Sequence, residues 1–284
     1  MATFTPHTEK GRKELKETYF SAVNQGNLHL VTECLRRGQD PNSILDDSAA
    51  LHIAAEKGDI GLGYILTADE RTNVDIRMPS NRRTPLMLAT QNERREFVQF
   101  LIKRGADSNC SAHNGYTALH IAVKIKCFGI VYDLVNSGAN TRAVNVYQET
   151  PTSLAAIDYP SASIVGFLLR KGGLLSQKQV PILIDACLHC NTLPRLKIIE
   201  KLLEHGTDVN VVHPITKMTC LHTVGITGYI PLAGLLIYYG GSLTATDAMG
   251  RTPQDVAEVH RHYELVRLYQ KMGQGKRRKV LFKR

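Results

Sequence analysis

The sequence predicts an all-α fold, a solenoid of stacked turn-helix-helix units, and three observations predict it. Threonine recurs at Thr84, Thr117 and Thr150, and again at Thr219 and Thr252, with steps of 33 residues. Glycine recurs at Gly105, Gly138, Gly172, Gly206 and Gly240 with steps of 33 or 34 residues, and Gly38 stands about two periods upstream. Ahead of each closing glycine lies an apolar quartet at i, i+1, i+4, i+5, for example Phe97, Val98, Leu101 and Ile102, or Ile164, Val165, Leu168 and Leu169. That spacing marks one face of a helix. Self-similarity at one fixed period means repeated supersecondary units, each needing its neighbours to bury its apolar face.

In chain order, Leu30, Val31, Cys34 and Leu35 mark the closing helix of a first repeat at 18–42. The second, at 44–75, opens with AALHIAAEKGD and ends in ADERTNVD (68–75), which lacks the closing glycine and predicts a longer connection. Regular repeats follow at 79–111, 112–144 and 145–177, opening with TPLMLA, TALHIA and TPTSLA. The sixth, 178–212, has lost the threonine-proline start, and its surplus residues around Asn191–Pro194 predict a longer inter-helix turn. Repeats at 214–246 and 247–272 complete the array, with the first and last expected as caps. The alanines after each threonine (Ala54 and Ala55, Ala89, Ala122, Ala155 and Ala156) predict a short first helix that lets neighbours approach closely. The glycines supply left-handed helix ends where the chain reverses. The organisation is therefore an extension at 1–17, an array at 18–272 and a basic tail at 273–284.

With its Thr-Pro-Leu-His-x-Ala frame and its closing Gly-Ala-Asp-x-Asn, seen as GADSN at 105–109 and GTDVN at 206–210, the chain resembles the ankyrin repeat family. The resemblance implies an ankyrin repeat solenoid that binds proteins and has no catalytic activity. It also implies a scaffold role for His52, His120 and His222: hydrogen bonds that fix the turn and link adjoining repeats. A catalytic histidine would occur once, not at a period.

Other candidate chemistry is thin. Cys187-Leu-His-Cys190 offers two thiolates and an imidazole, half of a zinc site, but no second pair of ligands stands at finger-like spacing. Buried thiols are the expectation, with no metal and no cofactor. The phosphate-loop, dinucleotide, nucleophile-elbow and HExxH patterns are absent. With 43% apolar and 21% charged residues and no apolar run of membrane-helix length, a membrane role is not expected. The six cysteines show no disulfide framework, and the first residues show no signal-peptide pattern, so a cytoplasmic or nuclear location, or both, is the expectation.

Net charge is +9, yet Lys276, Arg277, Arg278, Lys279, Lys283 and Arg284 carry six of those charges, leaving +3 for the rest. Lys276 to Lys279 therefore form a candidate nuclear-import signal, with a solvated terminus as the main alternative and a phosphate contact as a lesser one. The tail lacks the interleaved aromatics of nucleic-acid binders, which argues against that partner.

The expected function is a scaffold or adaptor whose partner is a protein, the chain itself being monomeric and without a small-molecule substrate. Alternatives are a nuclear or transcription-associated regulator, or, with weaker support, a ubiquitin-ligase substrate adaptor. The expected contact strip comprises turn tips Asn81, Arg82 and Arg83, then His113, Asn114 and Tyr116, then Tyr147, Gln148 and Glu149, extended by Gln91 and Lys124 on the first helices. Tyr and Arg are the residues that dominate binding hot spots. The same positions also suit polar turns that simply face water. Asn210, eight residues after Leu202 and preceded by Asp208-Val209, resembles the position at which an asparaginyl hydroxylase modifies ankyrin repeats, and is also the family's structural asparagine.

Overall fold

In a computed structural model, residues 8–174 and 181–273 are described. The chain divides into two compact bodies, Met1–Val146 and Tyr147–Arg284. Each is a stack of antiparallel helix pairs.

The first body contains α1 (Glu9–Gln25) and α2 (Leu28–Arg36), a two-residue hairpin β1 (Ile44–Leu45) and β2 (Ser48–Ala49), α3 (Ala50–Lys57) and α4 (Ile60–Thr67). After these come α5 (Pro85–Gln91) with α6 (Arg95–Lys103), and α7 (Ala118–Lys124) with α8 (Phe128–Asn136). The second body contains α9 (Pro151–Ala156), α10 (Ala162–Arg170), α11 (Ile182–Leu188), α12 (Leu193–Glu204), α13 (Cys220–Thr227), α14 (Ile230–Tyr238), α15 (Pro253–Val259) and α16 (Tyr263–Gly273).

The periodic threonines are helix N-caps. Thr84, Thr150 and Thr252 accept hydrogen bonds from the backbone N–H three residues on, and the proline that follows each occupies the first helical position, where no N–H is missed. Histidine three residues after the cap supplies a ring nitrogen that accepts from the cap residue's own backbone N–H. The N–H of Ala49, Thr117 and Thr219 donates to Nδ1 of His52, His120 and His222 at 3.1, 3.2 and 3.0 Å. In two repeats that lack the histidine, Ser153 Oγ and Asp255 Oδ2 accept the same bond from Thr150 and Thr252 at 2.9 and 2.7 Å. The substitution keeps the acceptor and changes only its carrier, which is why the motif tolerates it.

The quartets form the core. Phe97, Val98, Leu101, Ile130, Val131, Leu134, Ile164, Val165 and Leu168 are fully buried. The fourth member is only half-buried at Ile102, Val135 and Leu169, so the apolar face is narrower there than the sequence pattern suggests. The closing glycines adopt φ of +78° to +97°, as a left-handed helix end requires. After α4 the closure differs as expected: Asp69, at the place of the closing glycine, does not take a left-handed φ, and the Thr72 hydroxyl donates to the Leu66 carbonyl at 2.6 Å instead.

Two expectations need correction. The first helix does not wait for residue 18. It starts at Glu9, capped by the Thr8 hydroxyl, so much of the expected extension is helix packed on α2 and α3. In the sixth repeat the surplus residues lengthen the second helix more than the turn. Thr192 takes the N-cap position, Pro194 enters at the second helical position, and α12 runs 12 residues against nine for α6, α8, α10 and α14.

Candidate functional site

In the first body, adjacent turn tips are joined by backbone hydrogen bonds. The Asn81 carbonyl accepts from His113 N–H at 3.0 Å, and the Asn114 carbonyl accepts from Val146 N–H at 3.1 Å. Within each tip the asparagine side chain closes an Asx-type turn, Asn81 Oδ1 accepting from Arg83 N–H at 2.9 Å and Asn114 Oδ1 from Tyr116 N–H at 3.2 Å. The tips are thus one hydrogen-bonded row, which fixes the spacing of whatever they display. Arg82 is exposed at φ +60°, and its counterpart Gly115 has φ +74°.

A Cβ on Gly115 would lie 2.8 Å from Asn145 Cα and 3.0 Å from Val146 N. Gly115→Ala is therefore expected to cost about 1–3 kcal/mol, from the left-handed strain and the forced separation of two tips. Urea midpoints check this, and a neutral result would show that the tips are not held together.

Several expected contact residues meet. The Arg83 guanidinium donates to Gln91 Oε1, joining tip to first helix. His52 Nε2 lies 3.1 Å from the Arg83 carbonyl, so the scaffold histidine of one repeat holds the backbone of the next tip. The Tyr116 ring lies 5.4 Å from the His120 ring and is half-buried. His113, Asn114, Gln91 and Lys124 are exposed. In the second body Tyr147 is 65% exposed, Gln148 sits at φ +59°, and Glu149 is half-buried.

One feature of the tips escaped the sequence reading. Between Met78 and Arg83, and between His213 and Met218, the tip closes over one residue more than between Ala112 and Tyr116. Pro79 and Pro214 follow the first residue of both longer tips and were the available signal. In the second body the longer tip leaves Ile215 81% exposed.

The buried histidines are electrostatically defined. Because each Nδ1 accepts from a backbone N–H and Nε2 faces a carbonyl, His52 and His222 are held as the neutral Nε2–H tautomer. Burial depresses the pKa of both. This is the chemistry of a structural hydrogen bond, not of a proton shuttle.

Cys187 and Cys190 are buried, whereas His189 points outward to the Asp185 carbonyl and carboxylate. Burial pushes the Cys187 thiol well above its ordinary value. The three groups do not converge, and among the described residues no grouping of His, Cys, Asp or Glu could hold a metal ion. Among the same residues no helix is long and apolar enough to cross a membrane.

Asn210 is exposed, and its amide bridges two loops: Nδ2 donates to the Gly240 carbonyl at 3.2 Å and Oδ1 accepts from Ser242 N–H at 2.8 Å. Asn109 does the same with Gly138 and Asn140. The candidate import signal, Lys276, Arg277, Arg278 and Lys279, lies outside the described residues.

A family model for ankyrin repeats in three copies matches residues 19–112, and a single-repeat model matches 114–146. The B-cell lymphoma 3 protein homolog of Mus musculus is 25% identical over 227 residues, covering 78% of this chain and 50% of that protein. The putative ankyrin repeat protein FPV031 of Fowlpox virus is 34% identical over 145 residues, covering 50% of this chain and 40% of that protein. The chain thus spans half or less of the length of these relatives. The crystal structure of the ankyrin repeat domain of Bcl-3, described as a unique member of the IkappaB protein family, superposes with a TM-score of 0.68 at 25% identity, over 78% of this chain and all of that one.

Proposed function

The chain belongs to the ankyrin repeat family, and on that premise we propose that it is a non-enzymatic adaptor, binding a protein partner through its turn tips and first helices. The observation that carries the reading is the hydrogen-bonded row of tips, Asn81 to His113 and Asn114 to Val146. The row fixes the backbone while leaving Arg82 and His113 exposed and aiming Arg83 along Gln91. A rigid backbone displaying large polar and aromatic groups binds at low ordering cost.

The test is Arg83→Ala, Tyr116→Ala and Tyr147→Ala combined. The variant is expected to stay folded with a modestly lowered melting temperature, since Arg83 and Tyr116 are half-buried and Tyr147 is exposed. Recovery of partner proteins in affinity capture is expected to fall sharply. A folded triple variant with undiminished capture would move the site off these tips.

The basic cluster at 276–279 in the sequence favours a second reading, a nuclear regulator imported through its tail. Fluorescence microscopy of the tagged chain with and without residues 275–284 tests it: equal nuclear fractions would remove the import role.

A further inference from the structure

The sixth repeat carries an insertion that stacking does not require. From the end of the first helix to the first buried pair of the second is six residues in the third and fourth repeats, Gln91 to Phe97 and Lys124 to Ile130, but ten in the sixth, Leu188 to Ile198. The surplus becomes an added helical turn at the start of α12. It adds nothing to the core: Leu193 is 66% exposed, Pro194 is exposed, and Leu188, at the end of α11 across the turn, is 42% exposed. A solvated insertion has no physical reason to be apolar, and exposed apolar groups that serve no packing mark contact surfaces.

The charges on the added turn itself are basic. Arg195 lies in the first turn of α12 and Lys197 follows, exposed, and neither forms an ion pair among the described residues. The first turn holds no acidic residue, and the Thr192 side chain makes no capping bond. The positive end of the helix dipole thus coincides with an arginine, an arrangement unfavourable to the isolated helix. Of the nearby carboxylates, Asp185 is engaged with His189, and Glu200 stands about one turn beyond Lys197.

We propose that the added turn of α12, with Leu188, Leu193, Pro194, Arg195 and Lys197, is a second docking surface, whose occupant is an acidic amphipathic segment of a partner protein. The leucines take its apolar face, and the two cations with the helix end take its carboxylates. Two cations without an aromatic ring make a poor match for nucleic acid, which needs a longer run of charge and stacking platforms.

Fluorescence anisotropy with the full chain tests this, using a labelled helical peptide of about 16 residues with Leu on one face and Glu on the other. The probes for comparison are the same peptide with Lys for Glu and a single-stranded oligonucleotide. The Glu peptide is expected to bind about ten-fold more tightly than the Lys peptide. Leu188→Ser with Leu193→Ser should weaken it about five-fold or more, and Arg195→Glu with Lys197→Glu should invert the preference between the peptides. Both variants should melt as the parent does, because the changes lie outside the core. The variant altered at Arg83, Tyr116 and Tyr147 should bind the Glu peptide as the parent does, which separates this surface from the tips. Equal affinity for both peptides, indifference to both variants, preference for the oligonucleotide, or loss only in the tip variant would each overturn the proposal.

Discussion

Leu168→Ala is expected to lower the unfolding free energy by about 2–5 kcal/mol. Leu168 has no exposed surface and lies on α10, packed against α9 and α12. The backbone around it has little freedom to close the resulting cavity. Gly173 N–H is bonded to the Leu168 carbonyl at 2.8 Å, and a Cβ at Gly173 would fall 2.5 Å from Thr152 Oγ1, so the chain already lies against its neighbour. Cost rises with the cavity that remains, which places this site toward the upper part of the range. Urea denaturation followed by circular dichroism measures it. A loss well under 1 kcal/mol would mean that Leu168 does not face the core.

His222→Ala is expected to cost about 1–3 kcal/mol, because it strips two backbone groups of their partner inside the second body. These are Thr219 N–H, bonded to Nδ1, and the Arg251 carbonyl, 3.0 Å from Nε2 in the next repeat. Replacing the exposed His29 by Ala is the control, with an expected change within about 0.5 kcal/mol. A pH signature accompanies the loss. Burial lowers the folded-state pKa of His52 and His222, so between that value and the ordinary pKa near about 6.5 the unfolded chain binds more protons than the native one. Their contribution is complete above about pH 6.5 and is lost as pH falls through it toward the folded value. A double variant at positions 52 and 222 should show a flatter stability profile between pH 5 and 7. An unchanged slope would refute the neutral-tautomer account.

Legibility followed the range of the interactions. Thr84, Thr150 and Thr252 could be read as helix starts because capping is settled within four residues, and the closing glycines because a left-handed φ is a property of one residue. The histidines needed the family resemblance, since the carbonyls of Arg83 and Arg251 that they reach belong to the next repeat. The sixth repeat was misjudged because a count of surplus residues does not distinguish loop from helix. Thr192 and Pro194, a cap followed by a proline, were the local evidence and favoured helix. At the tips, the exposed positions were legible from register. The link from Arg83 to Gln91 was not, because it depends on side-chain reach across eight residues.

The tip of the fourth repeat also bears on how the protein ages. Asn114-Gly115 is a dipeptide prone to spontaneous deamidation, in which the glycine nitrogen attacks the asparagine side-chain carbonyl carbon, the Cγ–Nδ2 bond breaks, and ammonia leaves as the succinimide closes. Here Gly115 N–H is held by the Ala112 carbonyl at 2.9 Å, and Asn114 Oδ1 accepts from Tyr116 N–H at 3.2 Å. Attack requires both bonds to break and the tip to turn, so the folded chain should age slowly at this position and the unfolded chain quickly. Peptide mapping after storage would then act as a clock for time spent unfolded. Once the succinimide opens to isoaspartate, the main chain gains a methylene and the tip gains a negative charge, and its rung to Val146 could not re-form in register.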